Sequence, residues 1–68
     1  MLRNRVRELR AREDYSQTDL GELIGVTRQT IGLIEKKDYQ PSVTLALKMA
    51  EVFAISVEEI FWLEGGDD

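Results

Sequence analysis

Arg28 and Gln29 stand side by side near the start of the segment TRQTIGLIEKK, Thr27 to Lys37. A guanidinium is a planar fork of donors, and a carboxamide pairs a donor with an acceptor, so each can make two hydrogen bonds to a single base edge. Glutamine suits adenine, while arginine suits guanine or a phosphate. Leu33, four residues beyond Gln29, can pack on a thymine methyl. Gly32 between them costs about 1 kcal/mol against alanine inside a helix, so close approach of another surface is expected there as compensation. The competing readings are that Leu33 belongs to the core or to a protein interface, and that Gly32 relieves crowding between helices. All of this is binding chemistry. The chain has no cysteine and no histidine, which removes thiol nucleophiles, disulfides, Cys/His zinc sites and the commonest proton shuttle. Glu58 and Glu59 are adjacent and diverge on a helix, and no nucleophile accompanies a base. Neither enzymatic activity nor a cofactor, metal or small-molecule ligand is expected.

The readers require a helix to hold them. On a wheel of 100° per residue, Thr27, Ile31 and Ile34 share one sector, the face a core would take. Gln29, Gly32, Leu33 and Lys36 fall opposite, with Arg28 on the flank. Thr27 can cap this helix, predicted from Arg28 to about Lys36, with Val26 and Ile31 as a staple. Before it, Ser16 and Asp19 have capping-box spacing, and Tyr15 and Leu20 can staple the start of a helix from Gln17. That helix is expected to bury Leu20, Leu23 and Ile24 and to stop at Gly25, whose residue type tolerates a left-handed helix end.

The remaining chain reads as three more helices. Leu2, Val6 and Leu9 step by four and three, predicting a helix over residues 2–13 set about with five arginines. After the loop KKDYQP, Ser42 caps VTLALKMAEVFA, apolar almost all round and expected to be the buried centre. Ser56 and Glu59 repeat the capping box before a fifth helix. A single domain over 1–68 follows from the length, and no apolar stretch suits a signal peptide or a membrane span. A soluble chain in the reducing cytoplasm is expected.

The net charge of −4 argues against a polyanionic partner until it is divided along the chain. Residues 1–48 hold all nine bases and seven acids, a balance of +2, while residues 49–68 hold six acids and no base. A polyanion responds to the face it meets rather than to the total. The plainer reading of the charge is a solubilising acidic tail on an ordinary helical domain.

Two helices of eight or nine residues joined by the turn GVT have helix-turn-helix spacing. The segment SQTDLGELIGVTRQTIGLIEKKDYQPS, continued by LALKMAEVFAISVEEIF, resembles the Cro and lambda-repressor type of helix-turn-helix regulator, the XRE family. The likeness rests on Ser16, Gln17, Leu20, Gly25, Val26, Thr27, Ile31, Ile34, Glu35, Pro41 and Ser42. It implies an all-α fold of five helices with the helix-turn-helix at helices 2 and 3, and double-stranded DNA as partner. It also assigns base reading to Arg28, Gln29, Gly32 and Leu33. Phosphate contacts are expected around them from Gln17, Thr27, Thr30, Lys36, Lys37 and Tyr39, since helix N-termini and flanking cations suit anions. A solvated loop is the plainer reading of Lys36, Lys37 and Tyr39. The resemblance further implies an ion pair of Arg10 with Glu35 that fixes the reading helix to its scaffold. Two departures stand out: Lys36, Lys37 and Asp38 occupy a stretch where the family commonly has a glycine, and Ala54 replaces another.

Phe53, Ile55, Val57, Phe61, Trp62 and Leu63 offer more apolar surface than so small a domain is expected to hide. Residues 55–68 are therefore expected to supply a homodimer face and an acidic tail, with Trp62 and Leu63 extended as a short strand against the first residues, as in small members of the family. A two-fold pair would present two reading helices to a pseudo-palindromic operator, as a repressor would. The alternative is a protein-interaction module, such as an antitoxin or bridging adaptor, built on the same fold.

Overall fold

The computed structural model describes residues 1–65, so Asp67 and Asp68 of the expected tail lie outside the described residues. In chain order the elements are β1 (Leu2–Asn4), α1 (Val6–Arg12), α2 (Gln17–Ile24), α3 (Arg28–Glu35), α4 (Val43–Phe53), α5 (Val57–Ile60) and β2 (Phe61–Leu63). Five helices surround one core, and β1 and β2 close the two ends of the chain together as an antiparallel ribbon, with Leu2 opposite Leu63, Arg3 opposite Trp62 and Asn4 opposite Phe61. The strand at Trp62 and Leu63 is thus present and runs against residues 2–4.

That pairing overturns the expected helix from residue 2. Residues 2–4 give their backbone groups to β2, the Arg5 N–H donates to the Ile60 carbonyl at 3.0 Å, and the Val6 N–H donates to Asn4 Oδ1 at 3.0 Å. The first turn of a helix leaves its N–H groups without internal acceptors, so a partner strand outcompetes it.

The caps fall where the sequence places them. Asp19 N–H donates to Ser16 Oγ and Ser16 N–H donates back to the Asp19 carboxylate, each at 2.9 Å. Gly25 ends α2 at φ +83°, and the N–H groups of Gly25 and Val26 both donate to the Gly21 carbonyl at 2.8 Å. This turn folds back so closely that a Cβ on Gly21 would stand 2.5 Å from the Val26 oxygen. Even alanine there would need the backbone to shift. Thr27 Oγ1 accepts from the Thr30 N–H at 3.3 Å, opening α3, and Ser42 Oγ accepts from the Leu45 N–H at 3.1 Å, opening α4.

Val6, Leu20, Ile31, Met49 and Ile60 are fully buried and bring α1 to α5 onto one core. Three expectations about burial are corrected. Leu23 is exposed, because α2 buries Leu20, Gly21 and Ile24, a sector centred about 100° away from it. Helix α4 is not buried all round: Leu45, Ala46, Met49 and Phe53 face inward while Val43 and Leu47 face out. Phe53 and Phe61, expected on a dimer face, are only 3% and 7% exposed. The protomer's own core takes them, so the apolar surface left at this end is Trp62 at 38% and Leu63 at 77% exposure, beside half-buried Ile55 and Val57.

At both places where the resemblance leads glycine to be expected, the chain turns left-handed without one. Ala54 ends α4 at φ +59° and Lys37 follows α3 at φ +68°. The loop shape is retained at the cost of a conformation that L residues adopt about 1–2 kcal/mol less readily.

Candidate nucleic-acid interface

Helix α3 divides into two faces with opposite fates. Ile31 and Ile34 are 0% and 1% exposed, whereas Leu33 between them is 43% exposed, and Arg28, Gln29 and Lys36 are also exposed. Leu33 therefore does not belong to the protomer core. Gln17 from the first turn of α2 joins Arg28, Gln29, Gly32, Leu33 and Lys36 around an open cleft of about 530 Å³. Two helices and one turn thus assemble the four expected base readers with two of the expected phosphate contacts.

The Gln17 side chain lies beside Gly32. A Cβ at Gly32 would come 3.5 Å from Gln17 Nε2, an ordinary van der Waals distance, so the glycine is not required by packing within the protomer. Gln17 is itself anchored, because its Nε2 donates to Glu35 Oε1 at 3.1 Å. Its backbone N–H lies in the first turn of α2, where no intrahelical acceptor exists. The N-terminus of α3 is similar: Thr27 is exposed, the Thr27 hydroxyl holds half-buried Thr30, and the N–H groups of Arg28 and Gln29 lie in the first turn. A helix start of this kind carries partial positive charge suited to an anion.

The reading helix is fixed from behind by an ion pair. Arg10 Nε donates to Glu35 Oε2 at 2.8 Å and its Nη2 to Oε1 at 3.3 Å, while Nη1 donates to the Tyr15 carbonyl at 2.9 Å. The two side chains are 17% and 8% exposed. This two-pronged grip joins α1, the start of α2 and the end of α3 in one arrangement that a single-pronged lysine would not reproduce. Asn4 adds a tie that sequence reasoning missed: its Nδ2 donates to the Ile34 carbonyl at 3.0 Å. Only the ribbon, which pairs residues some sixty positions apart, brings Asn4 to that carbonyl.

Not every expected contact residue shares the cleft. Lys37 and Tyr39 turn away with the loop and border a separate hollow of about 280 Å³ with Met1, Leu2, Asn4, Ile34, Gln40 and Pro41. Both remain exposed. No helix among the described residues is long and apolar enough to cross a membrane.

Comparison with known proteins points the same way. A helix-turn-helix family model matches residues 6–60. The chain is 57% identical over 63 residues to the uncharacterized HTH-type transcriptional regulator YgzD of Bacillus subtilis strain 168, which covers 93% of this chain and 96% of that protein. Among solved structures, the restriction-modification controller protein C.AhdI from Aeromonas hydrophila aligns with a TM-score of 0.73 at 33% identity, over 79% of this chain and 82% of that one. The P22 c2 repressor, crystallised with a synthetic operator, aligns with a TM-score of 0.78 over 90% of this chain and 89% of its own; at 23% identity this is a likeness of fold. A domain with this spacing, these caps and these relatives is not an enzyme, and the chain belongs to the XRE-type helix-turn-helix family of DNA-binding transcriptional regulators.

Proposed function

We propose that the protein is a cytoplasmic repressor that binds a pseudo-palindromic operator as a homodimer, with residues 28–36 of each protomer in the major groove. The observation that carries the reading is the two-sided character of α3: Ile31 and Ile34 are sealed in the core while Arg28, Gln29 and Leu33 are left to solvent. In this reading Gln29 pairs with an adenine, Arg28 with a guanine or a phosphate, and Leu33 meets a thymine methyl, with Gly32 allowing the groove floor to approach. Gln17 and Thr27 hold phosphates through the helix starts, and Thr30, Lys36, Lys37 and Tyr39 add contacts to the backbone. The whole of 1–68 acts as one DNA-binding domain. Trp62 and Leu63, with Ile55 and Val57, form the two-fold contact that sets the two reading helices about 34 Å apart. In this reading the protein represses by occupying the operator and so blocking polymerase.

Selection from random duplexes, followed by binding titrations at several salt concentrations, tests this directly. An enriched inverted repeat and a steep loss of affinity with salt are expected. Arg28→Ala and Gln29→Ala relax preference at particular bases, whereas Lys37→Ala weakens every sequence alike. If the three variants shift binding in the same way, the division between readers and anchors is wrong. A chain that binds no duplex but captures a protein partner would instead favour an interaction module.

A further inference from the structure

We infer that Arg7, on the outer side of α1, is a phosphate ligand that carries the DNA footprint beyond the helix-turn-helix, onto the backbone flanking the groove occupied by α3. The inference rests on the DNA-binding reading above and names a contact from a different element.

Arg7 precedes Arg10 by three positions, so the two lie on the same side of α1, one turn apart. Arg10 is bound to Glu35 at the end of α3, and this places Arg7 next to the point where α3 runs out into Lys36 and Lys37. Two hollows meet there. The first, about 310 Å³, is lined by Arg7, Arg10, Gln17, Gly32, Glu35 and Lys36 and adjoins the reading cleft through Gln17, Gly32 and Lys36. The second, about 710 Å³, includes Arg7, Arg3, Arg5 and Lys37 in its lining. Arg7 is the one cation common to both, so the surface runs unbroken from Gln29 and Gly32 to the base of the ribbon.

Most charges along this surface are already engaged. Arg10 and the Glu35 carboxylate hold each other, with Gln17 on the same carboxylate. Arg3 is paired with Glu64, and Arg5 lies over the Trp62 ring, 5.2 Å from its centroid. Arg7 is exposed and has no ion pair or side-chain hydrogen bond among the described residues. Its only acidic neighbour in the second hollow without an assigned partner is Glu8, the next residue along α1, which points about 100° away around the helix. Arg7, Lys36 and Lys37 are therefore the uncommitted cations of this edge. A row of three positive side chains beside a groove-binding helix suits the regular charges of a phosphate backbone, and the guanidinium can take two oxygens of one phosphate.

The test compares Arg7→Ala and Arg7→Lys with the wild type on the selected duplex and on an unrelated duplex, from low to high salt. Arg12→Ala serves as control: it lies on the same helix, is paired with Glu13 and is absent from both hollows. Loss of one phosphate contact lowers the slope of log affinity against log salt by about 0.9 and weakens binding about five- to tenfold near 0.1 M salt. The expected result is that Arg7→Ala shows this on both duplexes with base preference unchanged, that Arg7→Lys keeps most of the slope, and that Arg12→Ala matches the wild type. Matching thermal midpoints show that all variants are folded. If wild type binds and Arg7→Ala has the same affinity and slope, the Arg7 contact is overturned and the function stands. If Arg12→Ala loses as much as Arg7→Ala, the effect is general charge and the assignment to Arg7 fails. If wild type itself binds no duplex, the functional reading falls and takes this contact with it.

Discussion

The outer face of α3 and the corner formed by α5 and β2 both expose apolar side chains, yet they come to do so by different routes. On α3 the caps, the turn at Gly25 and the Arg10–Glu35 pair fix the helix locally, and Leu33 is exposed because Ile31 and Ile34 already fill the inward sector. At the corner, apolar residues follow one another through Ile60, Phe61, Trp62 and Leu63, and alternation along β2 does not sort them, since Phe61 and Leu63 fall on one face yet only Phe61 is covered by the core. Phe61 enters the core, while Trp62 and Leu63 stay out. A helix announces its outer face through periodicity; a three-residue strand does not until its partner is known.

The largest effects test the corner. Phe61→Ala is expected to cost about 3–5 kcal/mol, against a total stability of about 3–10 kcal/mol for a chain of this length. Urea unfolding should show a much lower midpoint at any protein concentration. Leu63→Ala removes a side chain that is 77% exposed, so the monomer's stability should change by less than about 0.5 kcal/mol. Its effect should appear in sedimentation as weakened self-association. Equal losses of stability in the two variants would mean that the corner does not divide into a buried and an outward residue.

The next largest effect is at the α3 anchor. Glu35→Ala strands the Arg10 guanidinium, 17% exposed, and also frees Gln17. A loss of about 3 kcal/mol is expected from leaving a buried charge unpaired, with the thermal midpoint lower by about 12 °C or more. A loss below about 1 kcal/mol would show the pair to be a surface contact and α3 to be held by apolar packing alone.

The two glycines give a middle-sized contrast. Gly32→Ala meets Gln17 Nε2 at 3.5 Å, whereas Gly21→Ala meets the Val26 carbonyl oxygen at 2.5 Å. The first should raise stability by about 1 kcal/mol through helix propensity and weaken duplex binding by intruding on the groove. The second should lower stability because backbone must move. A Gly32→Ala variant that gains stability and keeps full affinity would remove close approach as the reason for that glycine.

These contrasts also mark what could be read from the chain before folding. Ser16, Asp19, Gly25, Thr27 and Ser42 act on neighbours within a few positions, so their types and spacing specified α2, α3 and the start of α4. Residues 2–4 carried a helical pattern but joined β2 because the deciding partners, 61–63, lie across the whole sequence. Leu23, Val43 and Leu47 are apolar and exposed, since hydrophobicity cannot report which neighbours a short chain lacks. Lys37 and Ala54 hide left-handed turns behind residue types that do not signal them. Ala54→Gly should therefore gain about 0.5 kcal/mol, the relief of an L residue at φ +59° less the entropy that glycine adds to the unfolded chain. An unchanged urea midpoint would mean that the two effects cancel.

The smallest predicted effect compares the two capping boxes, one in each region. Hydrogen bonding from the Ser16 backbone N–H, then from the Ser16 side chain, holds the Asp19 carboxyl below its ordinary value of 3.8. The Ser56 N–H and then its hydroxyl do the same for Glu59, below 4.5, with a minor share from Arg5 and Arg12. Each carboxyl is lowered on folding, so each contributes stability that is fully present above its ordinary value and is lost as pH falls through the lower folded value. Thermal midpoints should thus hold steady from neutrality down to about 4.5 and decline below it. Asp19→Asn and Glu59→Gln should each make that decline shallower. Added salt should shrink the Glu59 contribution slightly and leave that of Asp19 alone, because only Glu59 draws on distant charges that ions can screen. If both variants keep the wild-type acid decline, the two carboxylates are bystanders at their helix starts.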